Sequence, residues 1–202
     1  MVLNAAVDAA ALGGHTASAD GLERARTHPK FLHSNATSHK WAIGAIAELI
    51  DNAYDQMSVP AIQAVQIKID VVPLGDAQGG QGLCVRDNGG GMDRGAMHRM
   101  MSFGVSKEAS NRIGRYGNGF KSSAIRLGSD ALVLSVDVNT GRFCAGLLSY
   151  TFLVHDRLED VVVPIIEWDE RGRMPGGLSD SAAEHRASAL RTLLAWGPGY
   201  SE

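Results

Sequence analysis

The chain has 202 residues, of which 45% are hydrophobic and 20% charged, a balance that suits one globular domain or one domain with a tail. Its formal net charge of −3 does not mark the whole molecule as a nucleic-acid-binding protein. No segment approaches the roughly 18 apolar residues of a transmembrane helix, and no signal peptide is evident at the start. Cys84 and Cys144 lie in apolar, strand-like segments without metal-ligand spacing. These features favour a soluble intracellular protein without disulfides and give no sign of a membrane partner.

The first predicted elements are an N-terminal arm and an amphipathic helix. Residues 1–27 are rich in alanine and lack a periodic apolar face, so we expect a flexible arm before a domain over residues 28–202. Helical periodicity is clear from Trp41 to Met57, a stretch without any basic residue. The apolar sector expected to face the core contains Ile43, Ile46, Ala47, Ile50 and Tyr54. A separate polar sector groups Glu48, Asp51, Asn52 and Asp55.

The middle of the chain is predicted to form a hairpin followed by a short helix. Alternation with period two indicates strands over residues 65–71 and 83–85, joined by a turn. Asp93 can cap a short helix that ends at Met101. Residues 104–119 are expected to form a flexible loop leading into the next helix.

The second half of the chain is predicted to be mainly strands between two helices. The first helix covers residues 118–127, with Gly128 as its C-terminal cap. Strands are expected over residues 131–138, 143–154 and 161–166, and a last helix over 181–196. This order indicates an α+β fold, a two-layer α/β sandwich with helices on one face of a mostly antiparallel sheet.

The polar sector of the first helix is the first stretch suited to chemistry. Glu48 and Asn52 are four residues apart and therefore neighbours on the helix surface. Hydrolysis of a phosphoanhydride needs a base for water, which Glu48 can supply. It also needs an oxygen ligand for Mg²⁺, which Asn52 can supply without adding negative charge beside the phosphates. A solvated acidic face explains this stretch equally well.

The second stretch suited to chemistry is the sequence from Val85 to Met92, in which Asp87 ends a strand and is followed, after Asn88, by three glycines. A buried carboxylate at that point can accept a hydrogen bond from the exocyclic amine of adenine. Backbone without side chains would let the base approach closely. A hairpin or a bend in the chain explains this stretch equally well.

The third stretch runs from Gly114 to Lys121 and indicates phosphate binding. Its glycines precede a predicted helix, where backbone N–H groups and the helix dipole favour an anion. From Arg86 to Arg126 there are eight Lys/Arg and three Asp/Glu, a local excess of five positive charges. The spacing is neither that of a Walker A motif nor that of a dinucleotide fingerprint. An ordinary glycine-rich turn is the alternative.

Taken in this order, the three stretches resemble the GHKL superfamily of ATPases, which includes gyrase, heat-shock chaperone, mismatch-repair and histidine-kinase ATP-binding domains. More narrowly, the chain is similar to the ATPase module of the MORC (microrchidia) family. The resemblance covers most of the chain from Pro29 onward and implies a Bergerat-type sandwich. The residues that carry it are 28–41, 45–56, 87–92, 103–106, 113–127, 146–152 and 161–168.

The resemblance implies a role for each matching residue in a site for ATP and Mg²⁺. Glu48 would be the base that activates water, and Asn52 would be the Mg²⁺ ligand. Asp87 would bind adenine, and Thr151 would be the strand residue that supports Asp87. The pocket around the adenine ring would be shaped by Gly89, Gly91 and Met92. The triphosphate would be surrounded by Ser106 and Lys107 in a lid and by Arg115, Tyr116, Gly117, Asn118, Gly119, Phe120 and Lys121.

The family resemblance also implies an activity and partners. We expect an ATP-binding and ATP-hydrolysing module with Mg²⁺-dependent, nucleotide-gated dimerisation, as a homodimer or a paralogue heterodimer. Nuclear localisation and a role with DNA or chromatin, in compaction or gene silencing, are expected from the family. Family members continue into a second domain that supplies a lysine to the γ-phosphate, and the chain resembles a module truncated before it, so weak turnover is expected.

Two alternatives to this activity are a non-hydrolysing nucleotide-dependent dimerisation module and a phosphotransferase of the histidine-kinase type. His39, which lacks the spacing of a metal ligand pair, is expected to order the entry to the first helix.

Overall fold

The computed structural model describes residues 26–55, 66–75, 80–103, 118–175 and 179–198, so nearly all of the predicted N-terminal arm lies outside them. In this part of the chain, no helix is both long enough and apolar enough to span a membrane. The elements, in chain order, are α1 (Lys30–Ala36), α2 (Ala42–Tyr54), β1 (Ile67–Pro73), β2 (Gln81–Asp87), α3 (Arg94–Met101), α4 (Gly119–Leu127), β3 (Asp130–Val136), β4 (Phe143–Ser149), α5 (Tyr150–His155), β5 (Ile165–Trp168) and α6 (Asp180–Trp196).

The strands form two antiparallel sheets. β1 and β2 make a hairpin in which Ile67 lies opposite Asp87. β4 is the central strand of the second sheet, between β3 and β5, and it is antiparallel to both. The Val138 N–H donates to the Gly90 carbonyl at 3.1 Å and so joins the chain after β2 to the chain after β3. The predicted α+β class with antiparallel sheets is confirmed.

Helices pack on both faces of the three-stranded sheet, whereas the sequence predicted helices on one face. Met97 and Met101 of α3 pack against Cys144 of β4. Leu193 of α6 packs against Ala145, the next residue of β4, whose side chain points to the opposite face. Because β4 is buried on both faces, its sequence is a nearly continuous apolar run with no polar alternation.

A further apolar cluster connects α1 and α5 to the sheet. Leu32 of α1 packs with Leu148 of β4 and Leu153 of α5, all three of them fully buried. Phe120 of α4 packs against this cluster and also against the cluster around Met97. The first turn of α4 is therefore anchored to the core through an aromatic side chain.

The strand predicted over residues 143–154 is wrong in its second half, where the chain forms α5. Ser149 ends β4 in an extended conformation, and its hydroxyl accepts a hydrogen bond from the Phe152 N–H at 2.9 Å. This serine acts as an N-cap, which starts a helix although the apolar run continues beyond it. The caps expected at Asp93 and Gly128 are confirmed, since Asp93 accepts from the Ala96 N–H and Gly128 ends α4.

The orientation of α2 also differs from the prediction. Ile43 and Tyr54, which the sequence assigned to the core, are 79% and 56% exposed. Ala45 and Ala53 are buried instead, and α2 packs on α4. Alanine lets helix axes approach closely, since the separation of packed helices depends on the side chains at the contact. Glu48, Asp51, Asn52 and Asp55 of the polar sector are each half-buried, which argues against a fully solvated acidic face.

Candidate functional site

Glu48 of α2 lies directly against the first residue of α4. A Cβ added to Gly119 would overlap the Glu48 carboxylate, at Oε1 and Cδ. Glycine at this position therefore lets the carboxylate approach the backbone at the start of the helix. The structure thus brings together the first and third stretches singled out in the sequence, through two of their predicted site residues.

Asn52 follows Glu48 by one helical turn and carries an unsatisfied amide. Its side chain is half-buried, and among the described residues its buried Nδ2 has no hydrogen-bond partner. A buried polar atom without a partner costs about 1–3 kcal/mol, so such an atom calls for an explanation. The amide can rotate to exchange its oxygen and nitrogen. An oxygen ligand for a cation is therefore available at this point, which fits the predicted Mg²⁺ ligand.

Asp87 is exposed, whereas the sequence predicted a buried carboxylate. It is the last residue of β2, which pairs with β1 alone in the part of the chain that the structure describes. Its Oδ1 accepts a hydrogen bond from the Gly89 N–H at 2.8 Å, which closes a tight turn. Hydrogen bonding to the backbone fixes the carboxylate at the start of the glycine-rich segment.

The segment from Gly89 to Met92 packs against β3. Gly91 has a φ of +66°, and a Cβ there would overlap the Val136 carbonyl oxygen. The Met92 N–H donates to Ser135 Oγ at 2.7 Å, and the Met92 side chain packs against the cluster around Met97. Gly91 is therefore required both by its conformation and by the close approach of two backbones.

The third stretch is described only from Asn118 onward. The predicted phosphate-binding residues Ser106, Lys107, Arg115, Tyr116 and Gly117 lie outside the described residues. Asn118 is the N-cap of α4, and the first hydrogen bond of the helix runs from the Ser122 N–H to the Asn118 carbonyl at 3.1 Å. The N–H groups of residues 119–121 therefore precede the helical ladder and point out of the helix start.

The Lys121 side chain points away from the start of α4. It is fully buried, and its ammonium donates to the carbonyls of Met100 at 2.8 Å and Ser102 at 2.7 Å. It also lies 5.2 Å from the centre of the Phe103 ring. Burial lowers the pKa of this lysine to about 8. The backbone N–H of Lys121 belongs to the first turn of α4, but the ammonium of its side chain binds carbonyls at the end of α3.

Thr151 lies in a helix, so the strand position predicted for it is wrong. It is the second residue of α5, and its hydroxyl donates to Asp130 Oδ2 at 2.8 Å. Ser149 donates to the other oxygen of the same carboxylate at 2.5 Å. The strand residues that contact the second stretch are Ser135 and Val136 of β3, which the sequence analysis did not single out.

The expectation for His39 is confirmed by a network that sequence analysis otherwise missed. Its Nε2 lies 3.1 Å from Ser122 Oγ and 3.3 Å from Ser123 Oγ, both on α4. Arg126, also on α4, donates from Nε to the His39 carbonyl at 2.9 Å. These contacts fix the chain before α2 onto α4 and so set the position of Glu48 relative to Gly119.

Comparison with known proteins gives an independent result. Residues 40–171 match the family described as histidine kinase-, DNA gyrase B- and HSP90-like ATPase. Protein MICRORCHIDIA 7 of Arabidopsis thaliana is 43% identical over 191 residues, which cover 92% of this chain and 26% of that protein. Protein MICRORCHIDIA 1 of the same plant is 46% identical over 184 residues, 88% of this chain and 28% of that protein.

An animal protein is similar to the same degree. MORC family CW-type zinc finger protein 3 of Mus musculus is 42% identical over 180 residues, or 86% of this chain and 18% of that protein. The chain spans about a quarter of the length of the two plant relatives. The chain therefore belongs to the histidine kinase-, DNA gyrase B- and HSP90-like (GHKL) ATPase family, within which its similarity to MORC proteins extends over most of its length.

Proposed function

We propose that this chain binds ATP with Mg²⁺ between α2 and the start of α4, in a Bergerat-type sandwich, and that it hydrolyses ATP slowly. The observation that carries the proposal is the position of the Glu48 carboxylate against Gly119. A carboxylate beside the N-terminal turn of a helix places a base next to a group of N–H donors suited to phosphate. Family membership supports the same activity.

The proposed roles follow from the positions of the side chains. Glu48 would accept a proton from the attacking water, and the backbone N–H groups of residues 119–121 would hold phosphate oxygens. The Asn52 carboxamide oxygen would hold Mg²⁺, whose contribution when bound is partial neutralisation of the phosphate charge. Asp87 would accept from the adenine amine beside Gly89, Gly91 and Met92. Further phosphate contacts are proposed for Ser106, Lys107, Arg115, Tyr116, Gly117 and Asn118.

The test of this assignment is the ATP affinity of Asn52→Ala in the presence of Mg²⁺. We expect a loss of at least about tenfold, equivalent to about 1.4 kcal/mol. Asn35→Ala is a matched control, because Asn35 also has a buried, unpartnered Nδ2 but lies on α1. The control should bind ATP as the wild type does. Equal affinities for wild type and Asn52→Ala would refute the proposed site.

Nucleotide-gated dimerisation, as a homodimer or with a paralogue, is proposed from the similarity to the MORC proteins, as are nuclear localisation and a role on DNA or chromatin. The measurement is the oligomeric state with ATP, ADP and a non-hydrolysable ATP analogue. Dimers with ATP or the analogue but monomers with ADP are expected. Dimers with ATP in a protein without measurable turnover would support a non-hydrolysing dimerisation module instead.

A further inference from the structure

We propose that the Lys121 side chain is a positioning residue, which fastens the end of α3 to the start of α4 and thereby holds the N-terminal turn of α4 beside Glu48. The Lys121 side chain has no exposed surface, and burial of a lysine is costly unless its ammonium has partners. The lowered pKa, about 8, is a consequence of the same desolvation.

The hydrogen-bond partners of the Lys121 ammonium are carbonyls at the C-terminal end of α3. The last four carbonyls of a helix have no partner within it and carry the negative end of the helix dipole. In α3, the carbonyls of His98 and Arg99 accept from the Ser102 N–H. The Met100 carbonyl accepts from Lys121 instead, as does the carbonyl of Ser102, the C-cap residue. Lys121 thus caps α3 from a different helix.

The aromatic surroundings fix the same point in the chain. Phe103 immediately follows the C-cap of α3, and its ring lies 5.2 Å from the Lys121 ammonium. The ring also meets Phe31 of α1 edge to face, with centroids 5.3 Å apart. The cation–π contact therefore adds to the two hydrogen bonds of the ammonium. Because Phe103 also packs against the cluster around Leu32, Leu148 and Leu153, it connects Lys121 to the core that holds α1 and α5.

The consequence for the site follows from the position of Lys121 in α4. It is the third residue of the helix, two after Gly119, which contacts the Glu48 carboxylate. Fastening its side chain to α3 restricts the first turn of α4, where the proposed phosphate-binding N–H groups lie. The ammonium then acts through the backbone and makes no direct contact with a phosphate. This step rests on the proposed ATP site, but the capping of α3 does not.

The experiment has one arm without nucleotide and one with it. Lys121→Met keeps the aliphatic length and removes the donors, and Lys68→Met, on the exposed part of β1, controls for loss of a lysine. In the nucleotide-free arm, amide hydrogen exchange in the last turn of α3 should be about tenfold faster in Lys121→Met and unchanged in Lys68→Met. Unchanged exchange in Lys121→Met would overturn the proposal.

In the second arm, Mg²⁺-ATP affinity is measured for the same proteins. We expect a several-fold loss in Lys121→Met, with an unchanged dependence of affinity on salt, and recovery in Lys121→Arg. Weaker ATP binding with unchanged exchange of α3, or with a reduced salt dependence, would identify a direct phosphate contact and overturn the proposal. Faster exchange with unchanged affinity would also overturn it.

Two further outcomes remain interpretable. If Lys121→Met does not fold, Lys121→Gln, which is neutral but keeps two amide donors, replaces it in both arms with a smaller expected effect. If the wild type does not bind ATP, the proposed function fails, while the exchange measurement still tests the capping of α3 by Lys121.

Discussion

The two ends of the proposed nucleotide site are built differently. At the phosphate end, Glu48 is half-buried between two packed helices and touches Gly119. At the adenine end, Asp87 is exposed and is positioned by its own turn and by the contact of Gly91 with β3. The phosphate end depends on the contact of the Glu48 side chain with the backbone of α4. The adenine end depends on the contact between the backbones of Gly91 and β3. A substitution at the first end should therefore affect chemistry, and one at the second should affect stability.

Glu48→Gln is expected to have the largest effect and tests the phosphate end. The amide has nearly the same shape as the carboxylate, so the contact with Gly119 and the fold should persist, but no base remains. Loss of a general base typically costs about 10²–10⁴-fold in rate, so we expect turnover to fall by about 10³-fold with ATP affinity retained. Steady-state ATP hydrolysis and calorimetric binding are the measurements.

A neighbouring carboxylate provides the control for Glu48→Gln. Asp51 lies on the same helix, but the three atoms nearest to the Cβ position of Gly119 all belong to Glu48, so Asp51→Asn should keep both turnover and binding. If Glu48→Gln hydrolyses ATP at the wild-type rate, Glu48 is not the base. Loss of both turnover and ATP binding in this variant would instead assign Glu48 to the holding of nucleotide.

Gly91→Ala is expected to have the next largest effect, and it acts on stability at the adenine end. The φ of +66° strains any L-residue, and the new Cβ would overlap the Val136 carbonyl, a backbone atom with little freedom to move. Strain of about 1–2 kcal/mol and overpacking of about 1–3 kcal/mol predict a loss of about 3 kcal/mol in the free energy of unfolding. Urea denaturation measures it.

Gly141→Ala separates the two contributions in this prediction. Gly141 has the same φ of +66°, but no atom lies within 4 Å of its would-be Cβ. The control should therefore lose only the strain, about 1 kcal/mol. If both variants are equally destabilised, the contact between Gly91 and β3 contributes nothing, and the adenine end is no more tightly constrained than a surface turn.

Gly119→Ala tests the same kind of overlap at the phosphate end, with the opposite expectation. The obstructing group is the end of the flexible Glu48 side chain, which can move away, and alanine favours the helix over glycine. Stability should change by less than about 1 kcal/mol, while the displaced carboxylate lowers turnover by about tenfold or more.

Gly95→Ala, near the start of α3, is the matched control for Gly119→Ala, because the nearest atoms to its would-be Cβ are in the Arg99 and Asp93 side chains, at 3.3 and 3.5 Å; it should leave turnover unchanged. A large loss of stability in Gly119→Ala with normal turnover would reverse the comparison between the two ends.

Local signals in the sequence predicted much of the fold. The cap at Asp93, the end of α4 at Gly128 and the strand β1 each depend on neighbouring residues alone, and each is confirmed. The serine cap that starts α5 was missed, because Ser149 lies inside a continuous apolar run. Such a run is typical of a buried strand and of a buried helix alike, so periodicity does not show where one ends and the other begins.

Features that depend on tertiary contact could not be predicted from the sequence. Hydrophobicity assigned Ile43 and Tyr54 of α2 to the core, but the small Ala45 and Ala53 determine which face meets α4. The contact between Glu48 and Gly119 joins positions 71 residues apart, and no periodic pattern encodes such a distance. The charge of Lys121 suggested a phosphate contact, but its ammonium donates to two carbonyls at the end of α3.

The smallest expected effect is a pH dependence of stability from Lys121, and its sign follows from linkage. The pKa is lowered from 10.5 to about 8 in the folded protein, so between these values the unfolded chain binds more protons. The free energy of unfolding should therefore rise with pH in this window, by about 1 kcal/mol between about pH 8 and 9, relative to Lys121→Met. Burial raises the pKa of the Cys144 thiol to about 11, which lowers stability as pH rises above about 9. Because both proteins contain Cys144, the difference between their urea-unfolding free energies cancels its contribution. If the difference in unfolding free energy does not change with pH across this window, the Lys121 amine is solvated to the same extent in the folded and the unfolded protein. In that case a buried charge does not hold α3 and α4 together.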